Sequence, residues 1–321
     1  MKSNERLLIV GTGAMACLFA ARLSLAGYLV QMLGTWDEAI DKIAKNGVRL
    51  LDPDGGSQTY KVQISSDPKA FLDSHLALVL VKSWQTSSAA ERLSECLSPD
   101  GLALTLQNGL GNFDSLVDIL GGERVLAGTT TAGATLIEAG VVRPAGKGEI
   151  TLGSHPGEAE LSRVLRQSGF LVETVQNIEG LMWGKLVINS AINPLTAILG
   201  IKNGGLLNLE PAHELMNLVA HESASIASQL GVQLPYPDAS VAAEKVAQDT
   251  ANNRSSMLQD ITRGAPTEID AICGQIVKSG ENIGVPTPLN HALWKLVKSK
   301  LASQHSQNLK LDEAKLAQAA P

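Results

Sequence analysis

Cysteine is scarce in this 321-residue chain, and the three present, Cys17, Cys96 and Cys273, stand far apart. Their spacing excludes both a zinc-ligand pattern and a disulfide framework. Each thiol has small or apolar neighbours and is expected in a core. Cys17, just inside an expected helix start, has a second reading as a redox thiol, because helix N-termini favour the thiolate. Long apolar runs are also missing: none approaches the ~18 residues of a membrane-spanning helix. There is no basic run, and 26 Lys plus Arg against 32 Asp plus Glu give a net charge of −6. That balance excludes an electrostatic partnership with nucleic acid or acidic lipid. No signal-peptide pattern precedes the first strand-like stretch, so a cytoplasmic location is expected. Nor does an internal repeat or a low-complexity linker divide the chain. With 44% hydrophobic residues, a sizeable core is available, and the length suits about two domains at ~100–200 residues each.

The first half repeats one theme. Leu7–Val10 is an apolar run suited to a buried strand. It passes into Gly11-Thr12-Gly13-Ala14-Met15-Ala16, a helical stretch to about Ala26, a Gly27 stop and a second strand over Tyr28–Leu33. This is G-x-G-x-x-A in the strand–turn–helix context that dinucleotide binding requires. Gly11 permits the tight turn, Gly13 lets backbone approach a pyrophosphate, Ala16 allows close packing, and the helix N-terminus faces the phosphates. A glycine turn with a purely structural role is the alternative. Further uncharged strands are expected over Leu76–Val81 and Leu102–Leu106. Each stops at polar residues, so Lys82 and Asn108 fall where open α/β sheets bind ligands; a solvated lysine and an Asn-Gly turn are the bland readings. Val125–Ala127 leads into the small-residue run Gly128–Ala134. Ile137–Val142 and Glu149–Leu152 are expected to form an antiparallel hairpin around the loop 143–148, and Phe170–Val175 a last strand.

What should read the ribose 2′ position is absent. An acid at the end of the second strand would mark NAD, and an arginine would mark a 2′-phosphate. The chain instead has Leu33-Gly34-Thr35-Trp36-Asp37-Glu38. Thr35 and the amides around Gly34 are the phosphate candidates, while Asp37 and Glu38 suit the start of the next helix.

From about residue 180 the periodicity is helical. Lys185, Asn189 and Asn193 recur every four residues in MWGKLVINSAINPLTAI, and therefore lie one above another on a helix. Their neighbours are apolar enough for burial. A polar stripe there needs partners, and a ligand in a cleft would supply them; a lysine stem covering surface is the alternative. Asn193-Pro194 is expected to kink or restart the helix. Lys202–Gly205 reads as a loop, Pro211–Leu230 and Val241–Ala251 as helices, and Asp238 as an N-cap. Pro266, followed by Glu268 and Asp270, resembles a helix start, the structural reading of Glu268 that competes with one beside Lys185. The polar, alanine-rich tail from Ala302 to Pro321 suits a frayed helix or disorder. The expected fold class is α/β: a Rossmann-type dinucleotide-binding domain over residues 1–176 and an all-helical domain over residues 177–321.

Together GTGAMA, VKSWQ, LQNGLG, TTTAGA, WGKLVINSAINPLTAI, NRSSMLQDI and TEID resemble the ketopantoate reductase (2-dehydropantoate 2-reductase) family across nearly the whole chain. The resemblance implies a C-terminal domain like that of 6-phosphogluconate dehydrogenase and NADPH-dependent reduction of a 2-keto acid, ketopantoate, to (R)-pantoate. It implies Lys185 as the proton donor, with Asn108, Asn189, Asn193, Asn203 and Ser256 around the substrate. Lys82, Asn108, Ala134 and Glu268 match positions lining the cofactor and the catalytic centre. Thr35 stands where NADPH-preferring members often have an arginine, so NADH with another branched 2-keto acid is a second reading. A non-catalytic NADPH sensor is a third. A homodimer built on the helical half is compatible with the sequence, which does not identify its surface.

Overall fold

The computed structural model describes residues 5–52, 54–145 and 148–319, with side chains through residue 306 except residue 305. The chain forms two compact units: one comprises the described residues up to Gln107 together with Gly111–Ile178, the other Asn108–Leu110 with the described residues from Glu179 onward.

The first unit runs β1 (Arg6–Val10), α1 (Ala14–Leu25), β2 (Leu29–Leu33), α2 (Asp37–Asn46), β3 (Val48–Leu51), β4 (Ser57–Tyr60), β5 (Gln63–Ser65), β6 (Ser74–Val79), α3 (Thr86–Ser94), β7 (Leu97–Thr105), α4 (Asn112–Leu120), β8 (Val125–Thr130), β9 (Gly133–Glu138), β10 (Val141–Ala145), β11 (Glu149–Gly153), α5 (Glu158–Gln167) and β12 (Leu171–Val175). Eight strands form one sheet in the order β12-β11-β8-β7-β6-β1-β2-β5. Pairing is parallel except between β8 and β11. From β1 the chain builds outward through β2 and β5, then returns to the other side of β1 at β6. The strand order therefore reverses between β1 and β6, the place where such sheets bind ligands beyond their carboxyl ends.

A second sheet, β4-β3-β10-β9, explains why α1 is apolar nearly all round. Ala16, Cys17, Leu18, Phe19, Ala20, Ala21 and Leu23 are all buried, and Val48 and Val142 of the small sheet, with Ala139 in the turn between β9 and β10, join them in one core. A helix sandwiched between two layers loses the polar face that a surface helix keeps. This layer corrects the expected hairpin. β9 and β10 are the antiparallel pair, turning at Gly140 with φ +79°, in the middle of the stretch read as one strand. Glu149–Gly153 instead joins the large sheet between β8 and β12. Arg143–Ala145 belong to β10; Gly146 and Lys147 of the expected loop lie outside the described residues.

The second unit contains α6 (Ile178–Leu199) from Glu179 onward, α7 (Glu210–Gln229), α8 (Ala239–Asp249), α9 (Ser256–Thr262), α10 (Cys273–Asn282) and α11 (Pro288–Ala319). Trp183, Leu186, Val187, Ala191, Ile192 and Leu195 of α6 pack with Met216, Val219, Met257, Ile276 and Val297. Pro194 does not restart the chain; α6 continues through it to Leu199, and the next turn is tied by Thr196 Oγ1, which donates to Ile192 O at 2.9 Å. Asp238 caps α8, accepting from the N–H of Ser240 and of Val241. The expected helix start at Pro266 is also corrected: residues 268–272 form turns and α10 begins at Cys273. In the tail the helix runs to Ala319; Ala320 and Pro321 lie outside the described residues. No described helix is long and apolar enough to cross a membrane.

Candidate active site

In the first unit the glycine loop, Thr35 and Lys82 follow the adjacent strands β1, β2 and β6. Gly11 N–H donates to Leu33 O at 2.9 Å, tying the loop to β2. Gly11 has φ +128°, and a Cβ there would sit 3.0 Å from Leu80 O; the tight turn against β6 requires glycine. At Gly13, the N-cap of α1, a Cβ would meet nothing within 4 Å. That residue provides no side-chain cap, and no acid occupies the first turn of the helix. Open space before unopposed N–H groups and a positive helix end suits a pyrophosphate, so these residues fit a dinucleotide. Thr35 is exposed and Lys82 half-buried, with Lys82 Nζ 6.0 Å from the centre of the Trp84 ring. Gln107 braces the loop beyond β6, donating to Val81 O at 3.0 Å and to Thr86 Oγ1 at 2.8 Å. Ala134 lies on β9 and packs, as Ala14 and Met15 do, against the core around α1. Cys17 is fully buried; burial raises its thiol pKa to about 12, which removes the redox reading.

In the second unit Lys185, Asn189 and Asn193 share α6 at four-residue intervals. The lysine and Asn189 are half-buried; Asn193 is buried. Burial is the main influence on Lys185, pulling the ammonium from 10.5 to about 8, and the charge of Glu268 partly opposes it. Glu268 is 6% exposed and sits in a turn, where Ala271 N–H and Ile272 N–H donate to its carbonyl. Its Oε2 accepts from Asn108 Nδ2 at 3.3 Å. This junction explains why residues 108–110 depart from the unit that surrounds them in sequence. Leu110 N–H donates to Ala271 O at 3.1 Å, and Gly109 turns there with φ +86°, leaving only 2.4 Å between a built Cβ and that oxygen. Lys185, Glu268 and Asn108 are thus one electrostatic group assembled from three distant stretches of sequence.

Asn203 is buried; its Nδ2 donates to Thr250 Oγ1 at 2.8 Å, while its Oδ1 has no partner. A buried acceptor left open is costly and suits a ligand hydroxyl. Of the two neighbouring serines, Ser255 is structural, capping α9 through Leu258 N–H and meeting Thr196 Oγ1 at 2.7 Å. Ser256 is exposed at the first position of the helix. A separate hollow of about 500 Å³ around Ile201, Gly205, Gln248 and Asn252 is lined by none of Lys185, Asn189, Asn193 or Glu268. Tyr236 is a supporting residue with no local sequence signal. Its hydroxyl donates to Gly184 O at 2.8 Å, beside Lys185, and burial pushes the phenol pKa well up.

A glycine turn at a strand-order reversal, with a half-buried lysine, a buried carboxylate and an amide grouped on a helical unit, defines the class as a dinucleotide-binding oxidoreductase. The family described as ketopantoate reductase PanE/ApbA matches residues 7–157, and its C-terminal model matches residues 177–301. The chain is 37% identical to the 2-dehydropantoate 2-reductase of Archaeoglobus fulgidus, over 92% of this chain and 97% of that one. It is 33% identical to the enzyme of the same name from Halobacterium salinarum, over 91% and 98%. Among solved structures, the PanE/ApbA family ketopantoate reductase from Ralstonia eutropha superposes with a TM-score of 0.87 at 33% identity, over 94% of this chain and 99% of that one. D-mandelate dehydrogenase bound to NADH and anilino(oxo)acetate also gives 0.87, at 27% identity over 93% and 99%. The chain belongs to the ketopantoate reductase family.

Proposed function

We propose that this protein reduces 2-dehydropantoate (ketopantoate) to (R)-pantoate in pantothenate biosynthesis, with NADPH as the reductant. Residues 1–176 hold the dinucleotide and residues 177–321 carry the substrate and the proton donor. The observation that carries this reading is Lys185: a half-buried ammonium, lowered to about 8, in the field of Glu268, in a chain that belongs to this family. When bound, the nicotinamide supplies hydride to C2 of the keto acid. Negative charge then develops on the C2 oxygen, where the Lys185 ammonium stabilises it and donates the proton. Glu268 keeps that ammonium charged near neutral pH and is itself held by Asn108. Asn189, Asn193, Asn203 and Ser256 bind the carboxylate and hydroxyl without adding charge that would move the lysine. Gly11, Thr12, Gly13, Ala14, Met15 and Ala16 cradle the pyrophosphate; Thr35, Lys82, Asn108 and Ala134 line the rest of the nucleotide.

The test is chemical identification of the product. Purified protein given ketopantoate and NADPH is expected to yield pantoate of the R configuration, and Lys185→Ala to bind both ligands while losing nearly all of its turnover. Wild-type rates in that variant would end the assigned role. A second reading, NADH with a different 2-keto acid, draws support from the uncharged Thr35 and from the NADH-bound D-mandelate dehydrogenase relative; kcat/KM measured with both cofactors separates the two. Tight NADPH binding with no turnover on any keto acid would favour a sensor.

A further inference from the structure

We infer that Arg92 reads the ribose 2′ position of the nucleotide and sets a preference for the 2′-phosphorylated cofactor; the inference rests on the dinucleotide reading above. In sheets of this kind the reader follows β2. Here Gly34 has no room for a side chain, since a Cβ would lie 2.6 Å from Thr12 Cγ2. Thr35 and Trp36 are exposed and uncharged, and acids follow at Asp37 and Glu38 in the first turn of α2. Lys42 is taken up by Glu38 at 2.8 Å and lies 3.8 Å from Glu138. The cation that does reach the turn comes from α3. Arg92 Nη2 donates to Gly34 O at 3.1 Å and also to Ser66 O, across 58 positions of sequence from Gly34.

Two carbonyls orient the guanidinium without neutralising it. Both bonds leave from Nη2, and among the described residues neither Nε nor Nη1 donates a hydrogen bond. A permanent charge with donors to spare is thus fixed one residue from Thr35. A 2′-phosphate takes charge-assisted bonds from such a group, which a 2′-hydroxyl cannot match. The arginine missing from the loop after β2 is replaced by one delivered from another helix, and sequence spacing gives no sign of it.

The test compares dissociation constants of NADP+ and NAD+ for the full-length protein, Arg92→Gln and Arg92→Lys, by calorimetry. Glutamine removes the charge and is too short to hold both carbonyls, so the affinity for NAD+ serves as the control for that structural loss. The glutamine variant is expected to weaken NADP+ by about 10- to 100-fold, the scale of one or two charge-assisted bonds, and NAD+ by less than about threefold; lysine, which keeps the charge but not the planar fork, is expected to lose less of the NADP+ preference than glutamine does. An unchanged NADP+/NAD+ ratio in the glutamine variant, whether both affinities hold or both fall, overturns the inference and leaves the dinucleotide reading standing. A wild-type protein that binds neither nucleotide overturns both.

Discussion

Glu268→Gln is the most informative perturbation of the proposed chemistry, because it removes a charge and spares a hydrogen bond. The glutamine oxygen can still accept from Asn108 Nδ2, now 3.3 Å from Glu268 Oε2, so the junction of residues 108–110 with the turn after Glu268 is kept. Burial lowers the Lys185 ammonium to about 8 and Glu268 opposes that effect; losing the carboxylate must therefore lower the lysine further. The proton donor is the charged form, so kcat/KM, which reports the free enzyme, should fall tenfold per pH unit on the alkaline side. In the wild type that limb lies near 8. An opposite charge near enough to shift a pKa is worth about one unit or more, which moves the limb to lower pH in the variant. With a one-unit move, the loss relative to wild type is about threefold at pH 7.5, approaches tenfold above about pH 8.5, and shrinks to about a tenth at pH 6. The assay is nicotinamide oxidation with ketopantoate between about pH 6 and 9.5, at subsaturating substrate. An unmoved limb, a limb at higher pH, or a loss equal at every pH would refute the electrostatic role of Glu268.

Four further outcomes are expected. Lys185→Ala lowers kcat by about 10²- to 10⁴-fold, the usual range for a positioned acid, with an unchanged melting temperature within a few degrees; single-turnover rates and thermal scans check both. Asn203→Ala removes the open Oδ1 and raises KM for the keto acid by about tenfold, the scale of one hydrogen bond, without altering nucleotide affinity. Gly109→Ala combines φ +86° with a 2.4 Å approach to Ala271 O; it costs about 1–3 kcal/mol in urea unfolding and weakens catalysis by displacing Asn108. Cys17 stays unlabelled by a thiol reagent at pH 8 in the folded protein, consistent with a thiol raised to about 12, and labels at once in denaturant.

The elements legible in sequence were those whose cause is local. The strand, glycine turn and helix of residues 6–25 carry their reasons within themselves, and Asp238 as a cap needs only the next three residues. The 185/189/193 stripe was visible because helix periodicity maps spacing onto a face. What escaped depends on distant partners. β3, β4 and β5 pass unnoticed because only their packing on α1 and β2 makes strands of them. Gly140 turns the chain inside the stretch Ile137–Val142 that reads as one strand, and α6 runs on through Pro194 without a restart. Residues 108–110 belong with the helical unit through Leu110, Asn108 and a glycine pressed on Ala271. Arg92 and Tyr236 are held by main-chain carbonyls, of Gly34 and Ser66 and of Gly184 respectively, and carbonyl partners leave no trace in residue type.

Among 2-keto acids, ketopantoate is expected to be the preferred substrate. Measured with saturating NADPH, kcat/KM for ketopantoate should exceed that for the keto acid of mandelate by at least about tenfold, equivalent to ~1.4 kcal/mol of transition-state discrimination. A preference for the aryl keto acid, or equal values, would contradict the assignment to pantoate synthesis and turn the site over to other 2-hydroxy acids.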